Sequence, residues 1–245
     1  MESGTGDCMR IRSVFVVMVL AGVAACASAG QPAAEHRPIR IVILGDSTVC
    51  DYPTDSPIRG WGQLLSEGLK KPVAIRNLAA SGRSTKTFIK EGRLKKALEE
   101  PADFALIQFG HNDSHGKERP ESTDAATDYK EYLREYVDSF QKAGTQPILV
   151  TPMHRRTFSE GKLTEELRPY ADAMKAVAEE KKVPVVDLYA LSGELFHKLG
   201  DDGSADLSCG PKDRTHFSEK GARAMAGLVL GEFRKIAPQL QDAMK

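Results

Sequence analysis

The sequence has no surplus of charge of either sign: Lys and Arg together number 34, and so do Asp and Glu. That balance leaves no electrostatic footprint for nucleic acid or for an anionic membrane surface, so any preference for a charged substrate has to be local. Long hydrophobic runs are missing as well. The apolar run from Val14 to Ala25 is too short to sit as a stable anchor across a bilayer. No internal repeat, heptad or low-complexity tract is visible, and there is one tryptophan, Trp61, among 245 residues. With 41% apolar residues the chain suits one substantial α/β domain, expected as a monomer.

What is present at the N-terminus reads as an export signal. Arg10 and Arg12 precede the apolar run, and Met9 offers a cleaner start than Met1 because Glu2 and Asp7 are unusual in such a segment. Two cleavage patterns compete. Val23-Ala24-Ala25-Cys26 resembles a lipobox, which predicts lipidation of Cys26, whereas Ala27-Ser28-Ala29 fits ordinary secretion. Residues 1–29 are therefore expected as a signal, 30–38 as a tether and 39–245 as the folded domain, with the mature protein secreted, periplasmic or lipid-anchored at a bacterial envelope. Cys8 and Cys26 belong to the leader. Cys50 and Cys209 remain for the domain, in a compartment that permits disulfides.

Within the domain, Ile41-Val42-Ile43-Leu44 runs straight into Gly45-Asp46-Ser47-Thr48, the pattern of a buried strand delivering a serine at a sheet edge. Further strands are expected at Val73–Asn77, Phe104–Gln108, Pro147–Val150 and Val183–Leu188. Helices are expected from Trp61 to Leu69, Thr87 to Leu98, Ala125 to Ala143, Glu165 to Lys181 and Glu219 to Ile236, the last capped by Ser218. Tyr129, Leu133, Tyr136, Val137 and Phe140 form one apolar stripe. Strands alternating with helices at this spacing imply a parallel sheet covered on both faces. The residues with chemistry then fall at strand ends, along one edge of one sheet.

A serine hydroxyl is a poor nucleophile near neutral pH and needs an imidazole to take its proton and a carboxylate to hold that imidazole. Asp213 and His216, three apart and just before a helix, offer both. The backbone N–H groups of Ser47 and Gly82 and the side-chain amide of Asn112 are natural donors to a tetrahedral oxyanion. The segment Gly45-x-Ser47-x-Val49 lacks the second glycine of a G-x-S-x-G elbow, which disfavours an α/β-hydrolase.

Gly45-Asp46-Ser47, Gly82 after Asn77, Gly110-His111-Asn112-Asp113 and Asp213-x-x-His216 resemble, in order, the four blocks of the SGNH (GDSL-like) hydrolases. The resemblance spans most of the domain. It implies a flavodoxin-like three-layer α/β/α sandwich, a Ser47–His216–Asp213 triad, an oxyanion hole from Ser47, Gly82 and Asn112, and no cofactor or metal. Arg59-Gly60-Trp61-Gly62-Gln63 and Gln108-Phe109-Gly110-His111-Asn112-Asp113 are similar to segments of the rhamnogalacturonan acetylesterases, which implies removal of acetyl groups from a pectin backbone through an acetyl-Ser47 intermediate. The same fold also serves other acylated glycans such as xylan, or lipids. A domain of another class, an inactive carbohydrate-binding module, has no need of Asp213 and His216 beside Ser47.

Around this constellation, Trp61 is either core or a stacking face for a sugar. Arg83, Lys86, His154, Arg155, Arg156 and Arg214 are candidate contacts for galacturonate carboxylates, solvated loop charge being the plainer reading. His111 and His115 flank Asp113 at a spacing that serves a metal on a helix, but they lie in a loop; His111 is read as ordering the site, and Asp46 as stabilising the turn. If Ser47 and His216 converge, Cys50 and Cys209 come into one neighbourhood, which predicts a disulfide between them.

Overall fold

The computed structural model describes Met1 and residues 37–70 and 73–238. The export signal, both cleavage patterns, Cys26 and most of the tether lie outside the described residues. Five parallel strands form the sheet in the order β2-β1-β3-β4-β7: β1 (Ile39–Gly45), β2 (Val73–Asn77), β3 (Phe104–Gln108), β4 (Gln146–Val150) and β7 (Val185–Val186). A two-strand antiparallel ribbon, β5 (Phe158–Ser159) with β6 (Lys162–Leu163), lies between β4 and the next helix in the chain. The helices are α1 (Trp61–Leu64), α2 (Thr85–Lys90), α3 (Arg93–Ala97), α4 (Asp128–Lys142), α5 (Arg168–Lys181), α6 (Leu188–Gly203) and α7 (Glu219–Ile236).

Because side chains alternate across a strand, each central strand feeds two cores. Ile41 and Ile43 of β1, Phe104 and Leu106 of β3, and Ile148 and Val150 of β4 pack with α1, α6 and α7 on one face. Val42, Leu44, Ala105, Ile107 and Leu149 point the other way, into the layer of α2 to α5. The near-continuous apolar runs of β1 and β3 follow from this, since strands covered on both faces have no polar side. The stripe expected on α4 is the buried stripe: Tyr129, Leu133, Tyr136, Val137 and Phe140.

Three of the expected elements take a different form, each for a local reason, and the β5–β6 ribbon was not among those expected. The helix expected over Thr87–Leu98 is two helices, because Gly92 adopts φ 72 between them and a left-handed residue ends a right-handed helix. The strand expected over Val183–Leu188 keeps only Val185–Val186; Pro184 offers no N–H to a ladder, and Asp187 caps α6 by accepting the Ala190 N–H at 3.1 Å. The helix at Trp61 gives way after one turn to a tighter 3₁₀ turn, Leu65–Gly68. Every central strand runs in the same direction, so the loops after β1, β2, β3 and β4 all open at the carboxyl edge of the sheet, where such folds hold their sites.

Candidate active site

β1 ends at Gly45, and the Asp46 carbonyl accepts the N–H groups of Val49 (3.1 Å) and Cys50 (3.0 Å), turning the chain sharply so that Ser47 stands at the bend. The buried Asp46 carboxylate closes the turn from inside, its Oδ1 accepting from the Thr48 N–H at 2.9 Å and the Thr48 hydroxyl at 2.7 Å. That hydroxyl in turn accepts from Gln108 Nε2 at 2.8 Å, and Gln108 Oε1 accepts from the Trp61 indole at 2.6 Å. An indole N–H only donates and a carboxylate only accepts, so the chain Trp61 to Gln108 to Thr48 to Asp46 has one possible sense. The Trp61 backbone N–H also donates to the Thr48 carbonyl (3.0 Å), and the Tyr52 hydroxyl to the Ser47 carbonyl (2.8 Å).

This settles Trp61 against the sugar-stacking alternative. Its side chain is fully buried, with its single donor used internally, so no face is open to a ligand. Burial opposes a charge on Asp46, but the facing His111 imidazole and the Thr48 hydrogen bonds outweigh it and hold the carboxyl below its ordinary range. The expectation that Asp46 stabilises the turn corresponds to its two bonds to Thr48. Gln108 was not singled out in the sequence; a polar residue ending an otherwise apolar strand was the available signal.

His216 arrives from the other end of the chain. The backbone of Phe217 bridges Arg59 on one side and Ser208 on the other, the Cys209 N–H donates to the His216 carbonyl at 3.1 Å, and Ser218 caps α7 through the Gly221 N–H at 3.2 Å. His216 Nε2 lies 2.9 Å from Ser47 Oγ, and its Nδ1 lies 2.9 Å from Asp213 Oδ2. Asp213 Oδ1 accepts the N–H groups of Thr215 and His216, both at 2.8 Å. Burial raises the Asp213 pKa, yet those N–H bonds and the His216 ring prevail and bring it down to about 2. A carboxylate that stays ionised beside Nδ1 fixes the tautomer with its proton on Nδ1, leaving Nε2 as the acceptor for the serine proton.

Three donor sources sit at the ends of the neighbouring strands β1, β2 and β3. Among the described residues, no acceptor engages the backbone N–H of Ser47 or of Gly82. Gly82 holds φ 78, and a Cβ there would meet nothing within 4 Å, so its requirement is the backbone conformation and not the space. Asn112 Nδ2 donates one hydrogen to the Arg83 carbonyl at 2.9 Å, which ties it to the Gly82 loop and leaves its second hydrogen unused. Ser47, His216 and Asp213 are thus joined by hydrogen bonds at the carboxyl edge of the sheet, and Gly82 and Asn112 lie on the loops after the neighbouring strands β2 and β3.

The expected substrate contacts divide differently. His154 is buried, stacked on Tyr189 at 3.8 Å between ring centres, with Nδ1 against the Thr164 carbonyl at 3.1 Å; it is a packing residue. Arg156 is buried and bonded to Ser208, Ser204 and Asp201; Arg214 pairs with the same Asp201, and Lys86 with the Ser122 carbonyl. Arg155 is engaged through all three of its nitrogens by the protein. Arg83 pairs with Glu91 and the Ser81 carbonyl, and its side chain keeps 36% exposure beside Gly82; of these residues it and Arg214, at 38%, are the more exposed arginines. His115 and His111 each face a carboxylate of their own, Glu121 at 2.7 Å and Asp46 at 3.5 Å.

The expected Cys50–Cys209 disulfide is absent, and both thiols are free. The two thiols have different partners. Cys50 Sγ turns inward to the Ser47 carbonyl at 3.9 Å, and Cys209 faces Asp213. Burial, then the Asp213 charge, pushes the Cys209 thiol up to about 11.

Residues 43–224 match the model of the GDSL-like lipase/acylhydrolase family. The chain is 37% identical over 222 residues to the rhamnogalacturonan acetylesterase RhgT of Bacillus subtilis, covering 84% of this chain and 94% of that one. It is 24% identical over 211 residues to a rhamnogalacturonan acetylesterase of Emericella nidulans, covering 78% and 82%. The crystal structure of Bacillus subtilis YxiM superposes with a TM-score of 0.73 at 32% identity, over 81% of this chain and 56% of that one. The acetylxylan esterase Axe2 of Geobacillus stearothermophilus superposes at 0.60 with 21% identity, over 80% and 93%, a likeness of fold. With the match running from β1 into α7 and so enclosing every residue of the assembled site, the chain belongs to the GDSL-like lipase/acylhydrolase family.

Proposed function

We propose that this protein is a serine esterase that removes O-acetyl groups from a plant cell-wall polysaccharide, rhamnogalacturonan being the substrate favoured by its relatives. The observation that carries the reading is the unbroken chain from Ser47 Oγ to His216 Nε2 and from His216 Nδ1 to Asp213, 2.9 Å at each step. Ser47 Oγ attacks the acetyl carbonyl as His216 takes its proton. The oxyanion is held by the N–H groups of Ser47 and Gly82 and by Asn112 Nδ2, donors that need no reorganisation when the charge forms. His216 returns the proton to the sugar oxygen as the C–O bond breaks, leaving acetyl-Ser47. Water, deprotonated by His216, then attacks that ester, acetate leaves, and Ser47 recovers its proton. Asp213, ionised throughout, stabilises the imidazolium formed in each half.

The N-terminal pattern supports placing this activity outside the cytoplasmic membrane, where the polysaccharide is met. The test is acetate release from a panel of acetylated rhamnogalacturonan, xylan and mannan. Rhamnogalacturonan is expected to be the best substrate, with Ser47→Ala and His216→Ala each lowering kcat by about 10⁴-fold or more and the double variant no further. Release from xylan but not from rhamnogalacturonan would replace the substrate, and full activity of Ser47→Ala would remove the mechanism.

A further inference from the structure

The groups assigned to the reaction come from separate loops, with Ser47 and His216 169 positions apart in the chain, and something has to hold the loops in register. The network of Trp61, Gln108, Thr48 and Asp46 fixes the serine turn. It does not reach the loop that carries Asp213 and His216.

Arg155, in the loop after β4, reaches that loop and the loop that carries Asn112. Its Nη2 donates to the His111 carbonyl at 2.9 Å and to Ser114 Oγ at 3.3 Å, and that carbonyl belongs to the peptide bond leading into Asn112. Its Nη1 donates to Thr215 Oγ1 at 2.9 Å. Thr215 lies between Asp213 and His216, and its own N–H is one of the donors on Asp213 Oδ1. Nε faces Glu166 at 3.3 Å. The guanidinium is a rigid planar fork, so seating one end fixes where the other can go. The side chain is 18% exposed, which limits how far water competes for these bonds. Its backbone base is fixed too, because the N–H of Arg156 donates to the Arg214 carbonyl at 2.6 Å, next to Thr215.

We infer that Arg155 is a positioning residue, a rigid strap that holds the His216–Asp213 loop against the Asn112 loop so that proton transfer and oxyanion stabilisation occur at one carbonyl. This rests on the esterase reading above. The role differs from the carboxylate recognition expected from the sequence, and a substrate with neither sugar nor carboxylate tells the two apart.

On 4-nitrophenyl acetate, Arg155→Gln is expected to lower kcat by about 30- to 100-fold, since a misplacement near 1 Å costs about that much, while KM stays within about twofold. Thr215→Val, which removes the far anchor alone, is expected to lower kcat by about tenfold, and the double variant to be no worse than Arg155→Gln. Ethylguanidinium is expected to restore part of the activity of Arg155→Ala, and ethylammonium at the same concentration is not. The inference is overturned if Arg155→Gln keeps wild-type kcat on this ester and loses activity only on glycans, if the two substitutions add, or if the whole loss follows a lowered melting temperature. Should Arg155→Gln fail to fold, Arg155→Lys and Thr215→Val carry the test, and wild-type kcat in both overturns it. A wild-type protein that hydrolyses no acetyl ester overturns the esterase reading and this inference together, whereas an active wild type with an unaffected Arg155→Gln overturns this inference alone.

Discussion

The carboxylate of Asp46 and the imidazole of His111 stand 3.5 Å apart with both side chains buried, and each residue immediately precedes one of the site, Ser47 and Asn112. Asp46 Oδ2 and both ring nitrogens of His111 have no hydrogen bond among the described residues, so these buried groups have chiefly one another to answer them. Burial lowers the His111 pKa against the pull of Asp46, while the same contact helps keep Asp46 ionised. The pair therefore couples the Ser47 turn to the Asn112 loop through buried groups.

His111→Leu is expected to cost about 3 kcal/mol of stability, because it leaves the Asp46 carboxylate buried without its imidazole. Adding Asp46→Asn, which keeps an acceptor for Thr48, should recover part of that loss. Urea unfolding of the two single variants and the double variant measures the coupling. Strictly additive losses would mean that the two groups do not sense each other.

Gly82 and Gly144 separate conformation from catalysis. Both have positive φ, 78 and 74, and a Cβ at either meets nothing within 4 Å, so alanine should cost each a similar ~1–2 kcal/mol of backbone strain. Only Gly82 carries an N–H assigned to the oxyanion. Gly82→Ala is expected to lower kcat by about 10- to 100-fold and Gly144→Ala to leave it unchanged. Equal kinetics in the two variants would remove Gly82 from the oxyanion hole.

His154 makes stability depend on pH. Its burial against Tyr189 lowers its pKa from 6.5 to about 4, against the Thr164 carbonyl and Glu165, which favour the charged form, and alongside His197 and Arg168, which oppose it. The unfolded chain thus binds the extra proton first as pH falls, and stability present above 6.5 is lost progressively down to about 4. The loss is expected to stay below ~3 kcal/mol, because partial solvation screens the charge, and to grow by no more than ~1.4 kcal/mol per pH unit. His111, also lowered by burial, adds to the same acid limb. Unfolding at pH 7.5 and pH 5 should show a smaller acid loss for His154→Gln than for wild type; an identical loss would place the titration elsewhere.

Much of the architecture was legible because it depends on local pattern. β2 and β3 have the bounds read from their apolar runs, and α7 begins after the expected Ser218 cap. The α4 stripe is legible because a helix buries one face at a fixed period, whatever it packs against. Elements set by a few contacts were not: β7 is two residues long, and the β5–β6 ribbon carries too few residues to show an alternation.

The site divides along the same line. Residue type and order were enough to nominate Ser47, Gly82, Asn112, Asp213 and His216, because each supplies a function that a different side chain or backbone cannot. Whether a polar group is free for a substrate or spent inside the protein is a property of its neighbours in space, and that only the tertiary structure decided. It buried Trp61 and His154, turned Arg155 inward to bind two loops, and gave the thiols of Cys50 and Cys209 separate partners where proximity in the chain's chemistry had suggested one bond. It also placed Asp46 opposite His111, two residues whose motifs are far apart in the chain and adjacent only because β1 and β3 are paired in the sheet.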